Sequence, residues 1–241
     1  MTRSVAIAAD LASFALVLRV RAEDTDAGVI AAVDASAAQR PTAVVVDLER
    51  GGRRSPGLLH DISSRCAQHA VLLLLAPPLA ATIALARPVT LVSRFRSYPT
   101  VDGALASLPH AALPPSHRRT LSLDAVYTAP AEARAVAGDA VRTWGLDDLI
   151  FPAELVATEL VSNAVVHAAT RVDVLVRRSS EHGLKIGVRD LSTSPPQLPT
   201  HAPSNVGERR GRGLFLVSVM AKRWGFLIGS ADKVVWANIE R

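Results

Sequence analysis

A chain of 241 residues can hold one large domain or two small ones, and with 49% of them hydrophobic it can bury real cores, which excludes global disorder. The net charge of +5 is mostly arginine and is shared between the halves, with 11 Arg and 9 acids in residues 1–116 and 16 Lys+Arg and 13 acids in residues 117–241. No basic block exists to track a phosphate backbone, so no direct nucleic-acid contact is expected, and the single cysteine, Cys66, excludes an intramolecular disulfide and a cysteine-based zinc site.

The apolar N-terminus, Met1 to Val20, raises the question of export. Asp10 interrupts it, and Arg19 and Arg21 stand where a small-residue cleavage site should be. The longest apolar run, Ala70 to Ala86, is broken by Pro77 and Pro78 and is too short to span a bilayer. A cytoplasmic protein with no membrane segment is the expectation, and the lone cysteine fits a reducing compartment.

Residues 14–20 read as a strand, Ala27 to Gln39 as a helix that Pro41 ends, and Thr42 to Leu48 as a buried strand. Leu58 to His69 has helical periodicity. Val71 to Leu75 is another buried strand, followed by a short helix over Leu79 to Ala86, a strand over Val89 to Val92 and a helix over Val101 to Leu108. Strands alternating with helices predict an α/β sheet with helices on its faces.

Val44-Val-Val-Asp-Leu48 followed by Ser55-Pro-Gly-Leu58 carries a resemblance. It is similar to the STAS domain of bacterial anti-anti-sigma factors, in which a strand ending Asp-Leu runs into a loop ending Asp-Ser-Ser-Gly-Leu with a phosphorylatable serine. Arg54 stands at the Asp of that loop, and Pro56 replaces one of its serines. The resemblance covers roughly residues 10–110. It implies a partner-binding domain over 1–110, with Ser55 as the one remaining acceptor and a domain without an acceptor site as the preferred reading.

Pro109 to Arg119 holds three prolines and little periodicity, and residues 111–119 read as a linker. Beyond it the architecture changes. Thr120 to Ala125 is a predicted strand. A helix starts near Pro130, where the missing N–H costs little, and runs to Trp144, with Gly145 to cap it. A long helix spans Asp148 to Ala168. Val172–Arg177 and Leu184–Asp190 read as an antiparallel hairpin. Leu191 to Arg210 has four prolines and no apolar period, and a loop of that length is usually functional or disordered. Gly211-Arg-Gly213 opens a helix to about Arg223, and Trp224–Ile228 and Val234–Glu240 close the chain as strands.

Glu159, Asn163 and His167 recur every four residues beside an apolar stripe, which stacks a carboxylate, a carboxamide and an imidazole on one helix face. Asp190 ends a strand, and Gly-x-Gly opens a helix after a long loop. The set suits a nucleotide. A helix N-terminus offers free N–H groups and a positive dipole end to phosphates, and glycines allow close approach. Magnesium takes one or two protein oxygens besides phosphate oxygens, and the Asn163 carboxamide can supply one. Glu159 can accept a proton from an attacking hydroxyl or water. Asp190, acceptor-only when ionised, can take the exocyclic amine of adenine. Arg209, Arg210 and Arg212 can reach phosphate oxygens. His167 reads as a helix-end residue, Trp144, Trp224 and Trp236 as core anchors, and Lys233 as a solvated residue before a strand.

The runs Glu159-Leu-Val-Ser-Asn-Ala-Val-Val-His167, Val188-Arg-Asp190, Gly211-Arg-Gly-Leu-Phe-Leu-Val217, Ala221-Lys-Arg-Trp-Gly225 and Lys233-Val-Val-Trp236 together resemble the GHKL ATPase fold of gyrase, histidine kinases and mismatch-repair ATPases. More narrowly, they resemble the anti-sigma factor serine kinases. The resemblance covers residues 120–241 and implies a two-layer α/β sandwich, its mixed sheet covered by helices on one face. It implies the cofactors ATP and Mg²⁺, with Mg²⁺ on Asn163, adenine on Asp190 and phosphates at Gly211, Arg212, Gly213 and Leu214. Glu159 is then the implied catalytic base for phosphorylating a serine. Implied partners are a STAS anti-anti-sigma factor or a sigma factor, and the resemblance leaves room for a homodimer. Many relatives follow the adenine-reading Asp with Asp-x-Gly-x-Gly, whereas Ser192 and Ser194 replace both glycines here. Two readings remain at this point: an ATP-dependent protein serine/threonine kinase, and a non-catalytic adaptor that senses ATP or ignores it.

Overall fold

The computed structural model describes residues 5–48, 54–55, 57–76, 95–109, 113–196 and 212–241. The chain is mixed α/β and divides into two compact units, residues 1–112 and 113–241.

The first unit is built on one sheet whose strands lie side by side in chain order: β1 (Ala6–Asp10), β2 (Ala15–Val20), β3 (Ala43–Leu48), β4 (Leu72–Ala76) and β5 (Phe95–Ser97). β1 and β2 are antiparallel and the rest pair in parallel. Helices α1 (Asp26–Ala38) and α2 (Leu58–Gln68) make the crossovers, and α3 (Val101–Ala106) follows β5. Ala43, Val44, Val45 and Val46 are all buried, because a parallel sheet covered on both faces has no solvent side and its strands need no polar alternation. Asp10 makes the β1–β2 turn. Its carboxylate accepts from the Ser13 N–H at 2.7 Å, and its carbonyl accepts from the Phe14 N–H at 2.8 Å. Phe14 takes φ 56° there, and its ring is buried. β1 and β5 have no counterpart in the sequence reading. The helix expected at Leu79–Ala86 and the strand expected at Val89–Val92 lie outside the described residues.

The second unit is a five-stranded sheet in the order β6 (Arg118–Leu123), β7 (Val172–Ser180), β8 (Gly183–Asp190), β10 (Lys233–Glu240) and β9 (Arg223–Ile228). Its helices are α4 (Ala129–Thr143), α5 (Ile150–His167) and α6 (Arg212–Met220). Every pairing among the described residues of this sheet is antiparallel, which corrects the expected mixed sheet. The connection from β6 to β7 holds two helices, and the second restores the chain direction that the first reverses. Strand residues 172, 174, 176, 184, 186, 188, 235, 237 and 239 share one core with α4, α5 and α6, as a strand period of 2 requires. α5 is long and apolar enough to cross a membrane by composition, but six of its residues, from Ala153 to Ala164, are buried, and all six belong to this core.

α4 and α5 pack closely because α4 presents Ala133, Ala137 and Gly138; a Cβ on Gly138 would stand 2.2 Å from Glu154 Oε1. The proline-rich stretch is partly folded. Pro115–His117 forms a 3₁₀ turn, β6 begins at Arg118, and Trp144 Nε1 donates to the Ser116 carbonyl at 2.9 Å. An indole N–H in a core has to find a partner, and this one takes the end of the expected linker. α6 stops at Met220 rather than Arg223, because Arg223 already pairs with Asn238 in the β9–β10 ladder.

Candidate functional site

α5 carries Glu159 and Asn163 one turn apart, both partly buried, while His167 ends the helix in solvent. α5 packs against both α6 and β8, and this brings the elements of the site together. α6 begins beside Glu159. A Cβ on Gly213 would lie 2.6 Å from Glu159 Oε2, so the glycine is what lets the carboxylate lie against the first turn of the helix. Burial raises the Glu159 pKa above the ordinary carboxylate range, and the nearby Arg212 guanidinium opposes the rise without cancelling it. Arg212 itself is exposed. Leu214 is buried in the core, which leaves its backbone N–H as the group it can offer an anion. Gly211, Arg209 and Arg210 lie outside the described residues.

Asp190 ends β8 at 1% exposure. Its Oδ1 accepts from the Ser192 N–H at 2.8 Å, and Ser192 Oγ accepts from the Ser194 N–H at 3.2 Å. The side chains of Asp190 and Ser192 therefore build consecutive turns, closed by the backbone N–H groups of Ser192 and Ser194, a local use of Asp and Ser that needs no positive φ. Asp190 Oδ2 is buried and has no hydrogen-bond partner. Burial raises the Asp190 pKa, opposed by the Ser192 N–H and by Lys233.

Lys233 is the site residue that sequence reasoning missed. It was expected in solvent, yet it is 2% exposed, lies 3.6 Å from Asp190 Oδ2 and donates to the Ser194 carbonyl at 3.0 Å. Register explains this. Lys233 stands directly opposite Asp190 across the β8–β10 ladder, on the inward side with Val235, Ala237 and Ile239. The parity of that run was readable: an inward set that starts with lysine needs a carboxylate beside it. The same parity corrects Trp236, expected in the core. It faces the other side of the sheet with Lys185 Nζ 4.1 Å from its ring centre, while Trp144 is buried and Trp224 packs against the core as expected.

In the first unit, the loop that corresponds to the STAS acceptor loop, for which the preferred reading is no acceptor site, is tied to α1. The Arg54 guanidinium, with its side chain 2% exposed, lies 3.6 Å from Asp26 and donates to the carbonyls of Arg21 and Asp24. The Ser55 N–H donates to Asp26 Oδ2 at 2.8 Å, so a phosphate on Ser55 would face a carboxylate. A cavity of about 860 Å³ opens at the carboxyl ends of β2, β3 and β4. Arg19 and Arg21 line it together with Glu23 and Asp47, and this mixture favours neither sign of ligand.

Residues 123–237 match the family model of the histidine kinase-like ATPase domain. No curated protein matches the chain. The match lies within the second unit and supports a GHKL-type ATPase domain there, for which ATP binding is implied.

Proposed function

We propose that this protein is a cytoplasmic ATP-dependent protein serine kinase of the anti-sigma factor type, passing the γ-phosphate of ATP to a serine of a STAS anti-anti-sigma partner. The observation that carries the reading is the placement of Glu159. A half-buried carboxylate with a raised pKa lies against the glycine-bearing start of α6, where phosphates would be held. In transfer, the serine Oγ bonds to the γ-phosphorus, the bond from that phosphorus to the β,γ-bridging oxygen breaks, and Glu159 takes the hydroxyl proton. A raised pKa makes the ionised Glu159 a stronger base toward the hydroxyl proton. Arg212 and the α6 backbone N–H groups hold phosphate oxygens, and Asp190 Oδ2 accepts from the adenine amine. The Asn163 carboxamide would hold Mg²⁺, which supplies charge neutralisation on the phosphates when bound.

A non-catalytic ATP-sensing adaptor is the second reading. It is favoured by the hydrogen-bonded serines after Asp190, which fix a segment that glycines would leave free to adapt. The first unit, with Arg54 locked on Asp26 and a carboxylate beside Ser55, serves in either reading as a STAS-like partner-binding module that is not itself a phosphate acceptor. Purified chain, labelled ATP and a co-encoded STAS protein separate the two. Transfer that Glu159→Ala removes, with ATP affinity retained, supports the kinase; ATP binding with no transfer leaves the adaptor.

A further inference from the structure

We infer that Lys233 reads the nucleobase beside Asp190, its Nζ donating to adenine N1 while Asp190 Oδ2 accepts from the 6-amino group. The inference rests on ATP being the ligand of this unit. It goes beyond that reading by giving the base pocket a second reading residue, supplied by a different strand.

The argument starts from burial. A lysine 97–98% removed from solvent is expensive unless its ammonium is matched. The match to Asp190 is incomplete, since Nζ and Oδ2 are 3.6 Å apart and Oδ2 has no hydrogen bond. Lysine has three N–H donors and no acceptor, and one goes to the Ser194 carbonyl at 3.0 Å. A buried acceptor therefore sits next to a buried donor, held in register by the direct Lys233–Asp190 pairing of β10 with β8.

The Watson–Crick edge of adenine is the complement, an N–H donor on the 6-amino group beside the N1 acceptor. Binding it would give Oδ2 the hydrogen bond it lacks and give Nζ a second acceptor, with both charges still compensating each other. Guanine carries a donor and an acceptor on the same edge in the opposite order, so the pair also makes a statement about base choice. Because Lys233 simultaneously holds the Ser194 carbonyl, the residues that read the base and the segment leaving β8 form one hydrogen-bonded group.

The test is calorimetric titration of the full chain with Mg²⁺ and four nucleotides: ATP, 1-deaza-ATP (no N1 acceptor), purine riboside triphosphate (no 6-amino group) and GTP. Wild type should bind 1-deaza-ATP and purine riboside triphosphate each about tenfold or more weakly than ATP, the range expected when a charged hydrogen-bonding group loses its partner. In Lys233→Met the ATP to 1-deaza-ATP gap should close while the purine riboside gap persists. Equal binding of ATP and 1-deaza-ATP by wild type overturns the inference without any variant, and an unchanged gap in Lys233→Met overturns it too. GTP bound more tightly than ATP overturns the assignment to adenine. Loss of the purine riboside gap with ATP still bound overturns the Asp190 half of the inference, whereas no ATP binding at all removes the underlying ATP reading instead, so the two failures are distinguishable.

Discussion

Replacing Lys233 by methionine keeps the stem of the side chain and removes the cation from a pair that is almost wholly buried, Asp190 at 1% and Lys233 at 2% exposure. What remains is a carboxylate inside the second unit with one hydrogen bond, from the Ser192 N–H. Removing one partner of a buried pair costs about 3–5 kcal/mol, because the other charge is left uncompensated. For a unit of this size each kcal/mol moves the midpoint by roughly 3–4 °C, so Tm should fall by about 10 °C or more at neutral pH. The pH dependence has a definite sign. Burial already raises the Asp190 pKa above its unfolded value, with Lys233 opposing the rise, so removing Lys233 raises it further. A carboxyl with a raised folded pKa binds protons more tightly folded than unfolded, and stability is lost as pH climbs from the unfolded value through the folded one. Acidification should therefore narrow the deficit of Lys233→Met, and circular dichroism melts at pH 5.5 and pH 7.5 measure it. The double variant Lys233→Met/Asp190→Asn should recover most of the loss. A single variant melting within about 2 °C of wild type at both pH values would refute the reasoning, since a shift that small corresponds to well under 1 kcal/mol.

Gly213→Ala should push the Glu159 carboxylate aside, because its Cβ would meet Oε2 at 2.6 Å. Only a flexible tip has to move, so stability should change by under ~1 kcal/mol while phosphate transfer falls about tenfold or more, measured with labelled ATP. Glu159→Gln should retain ATP affinity and lose transfer. In wild type, single-turnover transfer should rise with pH through the raised Glu159 pKa, because the base works only when ionised, and the variant should lack that limb. Arg54→Ala should destabilise the first unit by about 2 kcal/mol, since a buried guanidinium bonded to two carbonyls and paired with Asp26 is lost; denaturant titration of the full chain reports it as an earlier first transition.

Most elements were legible because their hydrophobic period is strong. Val44–Val46 and Leu73–Leu75 are continuous apolar runs in a covered parallel sheet, and α5 has a stripe from Ala153 to Ala164. β1 was hidden because four of its five residues are not buried, and β5 because three residues carry no period. Strand direction in the second sheet depends on how many helices fill a crossover, which a motif match does not report. Within the site, Glu159 and Asn163 were readable from helical spacing, as was Asp190 from its place at a strand end. Lys233 was not read because its partner lies 43 positions earlier in the chain and only strand register brings the two together. The serines after Asp190 look like a loss when judged by the missing glycines; the Ser192 side chain in fact supplies a turn that continues the one made by Asp190.

The central claim is that ATP binds the second unit with its base on Asp190 and its phosphates between α5 and the start of α6. Calorimetric titration of wild type and Asn163→Ala with ATP, with and without Mg²⁺, tests it most directly. Saturable binding at one site per chain, dependent on Mg²⁺ and abolished in a folded Asn163→Ala variant, is the predicted result; no heat of binding in wild type, or binding that Asn163→Ala leaves unchanged, would contradict it.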